Sequence, residues 1–435
     1  MGVSLAFHII FAIVGIGMPL LMVMAQWRWL KTGDAIYLQL AKRWAKGTAI
    51  MFAVGAVSGT ILSFELGLLW PGFMEFAGPI FGMPFSLEGF AFFVEAIFLG
   101  VYLYGWDRIP PRAHLTAGML VALSGVLSGI FVVIANAWMN APTGFDLVNG
   151  RAVNIDPIKA IFNPAAFSQT LHMTIAAYAS TGFAVAGIHA IFLRRRPRNA
   201  FHRRALLVGL AVGIPAALLQ PISGDISSRM VARTQPAKFA ALEGHFHTER
   251  GAPLLIGGIP DMDAGETRYA LKIPKLLSLL ATHDPNAEVP GLDRIARADW
   301  PNVTVVHLAF QLMIAIGLYL VAISCWAIVH LIRKRDLTTD PRLLSALVLA
   351  TPMGFIATEA GWIVTEVGRQ PWIIQGVMRT KDAVTPMPGL VIPFTFFTLL
   401  YIGLAAAVTW LLYRQVIQSP TTDEAAPPAA PAGSV

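Results

Sequence analysis

Apolar positions along this chain come in unbroken runs of about 20, with polar residues gathered between them. As a helix, about 20 residues cover the roughly 30 Å of a bilayer's hydrocarbon core. Nine such runs are visible, at about 3–24, 47–70, 86–106, 115–138, 169–193, 205–223, 303–332, 343–365 and 389–413. The alternating ten-residue strands of a membrane barrel are absent. The pattern predicts an all-α integral membrane protein of about nine transmembrane helices. Its first run has no basic segment ahead of it and leads into a basic loop, so it reads as a mature helix, not a signal peptide.

Composition agrees. Of the 435 residues, 56% are hydrophobic and 13% are charged, against about 25% charged in a soluble domain. Lys and Arg then orient the spans. Arg28, Lys31, Lys42, Arg43 and Lys46 fall in one loop, and Arg108 and Arg112 in the next on that side. Arg194, Arg195, Arg196 and Arg198 follow, then Arg333, Lys334 and Arg335. The opposite short loops are poorer, with none in 71–85. The basic side reads as cytoplasmic, which puts the N-terminus outside and the C-terminus in the cytoplasm. The net charge of +7 is this topology signal and gives no reason to expect nucleic-acid binding. The lone Cys325 excludes an intrachain disulfide framework.

The chain divides into helices 1–6 over 1–223, an extracytoplasmic segment over 224–302, helices 7–9 over 303–418 and a tail over 419–435. The long segment mixes apolar and charged residues, includes a short helical pattern from Ala237 to Phe246, and is expected to be partly ordered. The Pro/Ala-rich tail is expected to be disordered.

An ionisable side chain inside a span costs several kcal/mol unless paired or hydrated, so each is a functional candidate. His8, Glu65, Glu88, Glu95, His172, Glu359 and Glu366 all fall in the outer half of the spans, and Met313 lies about 15 Å from its helix's outer end. Glu88 and Glu95 are seven residues apart, as are Glu359 and Glu366, so each pair shares a helix face. Imidazole, thioether and carboxylate at similar depth suit a redox or proton site opening outward. Plain packing, or a transporter's proton relay, fits several of them equally well. His114, His189, His202 and His330 sit near the cytoplasmic interface, and His245, His247 and His283 in the long segment, where solvated roles are the default.

Several stretches, in this order, carry a resemblance. They are SLEGFAFFVEAIF at 86–98, GWDR at 105–108, VIANAWMNAP at 133–142, TLHMT at 170–174, QPAKFAALE at 235–243, FQLM at 310–313 and EAGWIVTEVGRQPW at 359–372. From His8 to the last run, the chain resembles subunit I of the cytochrome bd quinol oxidases. The resemblance implies that His172 and Met313 are the axial pair of a low-spin haem b. It implies that His8 and Glu359 are the ligands of two high-spin haems, one b and one d, or both b. Glu88 and Glu95 would deliver protons to the oxygen-reducing site, with Asn136 near it and Arg369 suited to haem propionates. Lys238 and Glu243 would be the quinol-contacting pair. The implied activity is oxidation of quinol, ubiquinol favoured, at the outer face. Oxygen would be reduced to water with cytoplasmic protons, in a bacterial inner membrane, alongside a second membrane subunit. The short 224–302 segment, and Gln311 where one branch carries arginine, resemble the cyanide-insensitive branch, in which the third haem is b instead of d. The competing class is a proton-coupled secondary transporter without haem.

Overall fold

The computed structural model describes residues 1–417; the tail expected to be disordered lies outside them. Among the described residues, nine helices are long and apolar enough to cross a membrane. In chain order the spans are Gly2–Thr32, Ala35–Leu69, Pro71–Tyr104, Pro111–Asn140, Ala166–Arg195, Ala200–Thr234, Val303–Ile332, Pro341–Val367 and Val391–Ile417.

Most spans outrun their hydrophobic runs. The second begins at Ala35, capped by the Asp34 carboxylate on the Ile36 amide, and its amphipathic first turns lie beyond the apolar stretch. The third begins at Pro71, one residue after the second ends, so 71–85 is helix and not the expected loop. Proline at a helix start gives up no bond. Pro79 and Pro84 then sit inside the helix, where their turn-forming look hid it. The sixth helix runs past 223 to Thr234, and the stretch without a long helix begins at Gln235.

The first span packs on the second, the third on the fourth, the fifth on both sixth and eighth, and the seventh on the eighth. Small residues allow this closeness. A Cβ on Gly182 would lie 2.6 Å from the Gly213 amide, and one on Gly354 would lie 2.4 Å from Ser180 Cα. In lipid, close backbone approach at small residues is what holds helices together.

The 235–302 segment is ordered. It opens with the helix Pro236–Glu243 and continues through short two-stranded pairings, Leu254–Ile256 with Leu271–Ile273 and Ile259–Asp261 with Glu266–Arg268. Its own core (Phe239, Leu242, Phe246, Leu277 and Leu292) packs on Val303, Val306 and Val364 at the adjacent ends of the seventh and eighth spans.

Candidate functional site

His8 and His172 are held in the same way. His8 Nδ1 lies 2.9 Å from Ser58 Oγ, and the Ser58 hydroxyl donates to the Val54 carbonyl at 2.9 Å. His172 Nδ1 lies 3.0 Å from Ser223 Oγ, and Ser223 donates to the Gln220 carbonyl at 2.9 Å. A hydroxyl has one proton to give. Each serine has spent it on its own helix, so each imidazole must donate from Nδ1. Nε2 is left as the nitrogen with the lone pair. That is the tautomer of a metal-ligating histidine, whose second nitrogen is normally held by an outer partner. At His172 the Gln220 side-chain amide also donates to Nε2, at 3.1 Å.

Two other expected site residues carry buried atoms without partners. Glu359 Oε1 is buried with no hydrogen-bond partner. Arg369 is 1% exposed; it pairs with Glu366 but leaves Nε and Nη1 buried and unpartnered. Such groups are costly to bury unless something bonds them. An iron or a haem propionate is the kind of group that would. Glycines make room for two of the expected ligand side chains themselves. A Cβ on Gly361 would lie 2.9 Å from Met313 Sδ, and one on Gly59 would lie 3.1 Å from His8 Cε1. No group of three or more His, Cys, Asp or Glu side chains converges among the described residues.

Glu88 and Glu95 line one face of the third span, as their spacing predicts. Glu88 accepts from Ser128 Oγ of the fourth span at 3.0 Å. Glu95 is buried in a notch between the first and fourth spans, where a Cβ on Gly125 would come within 3.3 Å of Oε1 and one on Gly15 within 3.9 Å. Nearer the outer end, Glu65 accepts from Ser4 at 2.8 Å.

Lys238 and Glu243 lie on the helix Pro236–Glu243 and are both buried, 3% and 4% exposed. Their five-residue spacing does not require a shared face, and each meets different surroundings. Glu243 Oε2 has no partner, and burial pushes this carboxyl up to about 8. Lys238 Nζ donates to Asn140 Oδ1 at 2.9 Å. Burial holds its ammonium well below the ordinary lysine value; nearby Arg369 lowers it further, and Glu366 opposes the shift. From Asn140 the bonds continue to Asn136 Oδ1 at 3.1 Å, from Asn136 to Glu366 Oε1, and from Arg369 to Glu366 Oε2. Three of the expected site residues, Lys238, Asn136 and Arg369, are thus joined in one buried chain. His307 and Gln311 secure the segment from the seventh span. His307 Nδ1 faces the Leu242 carbonyl at 2.8 Å, and Gln311 bonds both Leu255 and Gly257.

Sequence reasoning missed Ser58, Ser223, Gln220 and Asn140, and it named Glu366 without giving it a role. A serine one or two turns from a carbonyl it can bond carries no signal alone. Asn140 sits inside a motif that was quoted for Asn136.

Residues 1–420 match the family model for the cytochrome bd terminal oxidase subunit I. The chain is 36% identical over 428 residues to a Bacillus subtilis protein described provisionally as a cytochrome bd menaquinol oxidase subunit I, covering 97% of this chain and 96% of that one. It is 30% identical over 425 residues to the cytochrome bd ubiquinol oxidase subunit 1 of the same species, covering 94% and 90%. A solved bd oxidase from Geobacillus thermodenitrificans is similar at a TM-score of 0.91 and 40% identity, over 96% of this chain and 97% of that one.

Proposed function

Because the chain belongs to the cytochrome bd terminal oxidase subunit I family, a family of multi-pass membrane subunits of respiratory quinol oxidases, we propose that it oxidises quinol at the outer face, beneath the 235–302 segment, and reduces oxygen to water with cytoplasmic protons. The N-terminus then lies outside, and the reaction contributes to the proton-motive force. A second membrane subunit is its expected partner. The observation that carries this reading is the shared setting of His8 and His172, each held at Nδ1 by a serine hydroxyl of the neighbouring span, with the other ring nitrogen turned to Gln220 in His172 alone.

In this reading His172 and Met313 hold a low-spin haem b. His8 and Glu359 hold one high-spin haem each, one b and the other d or b, with Arg369 placed for propionates. Bound haem would supply one-electron transfer and the binding of oxygen. Lys238 binds and orients a quinol oxygen. Glu243 takes a quinol hydroxyl proton at its carboxylate; a value near 8 suits a general base working near neutral pH. Glu88, bonded to Ser128 of the fourth span, and Glu95 hold protons arriving from the cytoplasmic side.

A pyridine haemochrome assay on purified protein, with quinol-driven oxygen uptake, tests the reading. Haem and oxygen uptake are expected; a colourless, folded preparation would replace it with the transporter reading. Ubiquinol is the proposed substrate. Relatives carry both quinol names, so uptake with ubiquinol against menaquinol identifies the one used. A reduced-minus-oxidised spectrum with a red chlorin band would identify haem d, and its absence an all-b enzyme.

A further inference from the structure

Lys238 is held by residues outside the quinol motif itself. Its stem passes over Gly368, where an added Cβ would lie 2.9 Å from Lys238 Cγ. Its Nζ ends on Asn140 Oδ1 at 2.9 Å. Asn140 is fully buried and is the last residue of the fourth span. Its Nδ2 donates both to the Asn136 carbonyl and to Asn136 Oδ1, each at 3.1 Å.

A lysine ammonium has three donors and no acceptor, and burying it requires an acceptor that stays in place. Those two bonds keep the Asn140 amide from turning over. A flipped amide would point its NH2 at the ammonium and its oxygen at two other oxygens. The chain also has a direction. Lys238 donates to Asn140, Asn140 to Asn136, and Asn136 to Glu366, so every dipole points its positive end toward a carboxylate that Arg369 holds from the far side.

Resting on the quinol reading above, we propose that Asn140 is a positioning residue for quinol oxidation: it fixes the place and direction of the Lys238 ammonium and ties it, through Asn136, to the ends of the fourth and eighth spans. Asn140 touches no substrate in this scheme. It decides whether Lys238 meets the quinol oxygen or turns into the segment's interior.

The test uses the intact oxidase complex with a short-chain ubiquinol and three variants. Asn140→Leu removes the acceptor, Asn140→Asp keeps an acceptor and loses the donor to Asn136, and Lys238→Ala removes the cation. The Leu variant is expected to raise the quinol KM about tenfold, the scale of one hydrogen bond to a charged group, with kcat within about twofold and the haem spectrum unchanged. The Asp variant is expected to keep KM within about threefold of wild type. A role limited to packing the helix end would lower kcat or disturb the haem spectrum together with KM in the Leu variant, and that result overturns the proposal. So does an unchanged KM in the Leu variant while Lys238→Ala raises it. An unchanged KM in Lys238→Ala sinks the quinol reading itself. If the Leu complex fails to assemble, Asn140→Thr, whose hydroxyl is too short to reach Lys238, must give the same rise in KM.

Discussion

The two histidine sites and the seam beneath the 235–302 segment are built on opposite plans. Each histidine is oriented within one helical hairpin, His8 by Ser58 across the first and second spans and His172 by Ser223 across the fifth and sixth. Consecutive helices supply everything the ring needs, so the setting is complete as soon as two neighbours pack. The seam draws instead on the fourth span, the short helix Pro236–Glu243 and the end of the eighth span. Lys238 and Asn140 are separated by 98 positions, and Asn136 and Glu366 by 230. It exists only when nearly the whole chain is in place. Ligand geometry should therefore tolerate damage elsewhere, and the seam should not.

The sharpest way to break this contrast is at the proposed ligands. His172→Ala or Met313→Ala is expected to remove the low-spin haem while leaving the seam intact. The check is a fall in haem per chain by pyridine haemochrome, with unchanged protease resistance of the 235–302 segment. Loss of both together would mean that the two regions are not independent.

Next in size are the two carboxylates on one face of the eighth span. Glu359→Gln is expected to remove a high-spin haem and spare the segment. Glu366→Gln removes the partner of Arg369, a side chain with no exposure. Breaking one side of a buried pair costs about 3–5 kcal/mol, so the segment should become protease-sensitive. Haem counting on both variants locates the carboxylate ligand: a haem lost only with Glu366→Gln would move it two turns along the same face.

A smaller effect is expected from pH. The carboxylate of Glu243 is its basic form, and burial raises the group from an ordinary 4.5 to about 8. Quinol oxidation should thus rise with pH up to about 8 and level off above it, and Glu243→Gln should flatten the profile. The stability sign runs the other way. The folded chain keeps a proton that the unfolded chain releases near 4.5, so this group's contribution is full below that value and is lost as pH rises toward 8. Hydrogen exchange in the Pro236–Glu243 helix should accelerate across that window in the wild type beyond the intrinsic rise seen in Glu243→Gln.

The same contrast explains what could be read from the residues alone. Nine spans were legible because lipid demands long apolar runs, and the lone charged positions within them stood out by their cost. The helix over 71–85 was hidden by Pro79 and Pro84, which read as loop formers but are accommodated in a packed spanning helix. Glu88 and Glu95 were legible as a face because their spacing is local. The tie from Lys238 to Arg369 was not, since no local period connects positions brought together by three separate segments. Ser58 and Ser223 were silent for a different reason. Serine is common in spans, and only coordinates reveal that each one's proton is already given to its own helix.

The finest test compares the two serines. Replacing either with alanine leaves an imidazole N–H without its acceptor, and a hydrogen bond of this kind is worth about 1 kcal/mol. For a one-electron centre, with a tenfold change in equilibrium equal to about 59 mV, that is roughly 40 mV. A ligand that loses its Nδ1 partner becomes a poorer electron donor, so the haem potential should rise in both variants. The rise should be larger for Ser223→Ala, because His8 keeps the Gly55 carbonyl as a second acceptor, whereas the Gln220 amide nitrogen beside His172 is itself a donor. Spectroelectrochemical titration of each haem band reads both shifts in one experiment. Equal shifts would mean that Gly55 does not stand in for the lost serine, and a fall in either potential would show that the serine does not accept from the ligand's Nδ1.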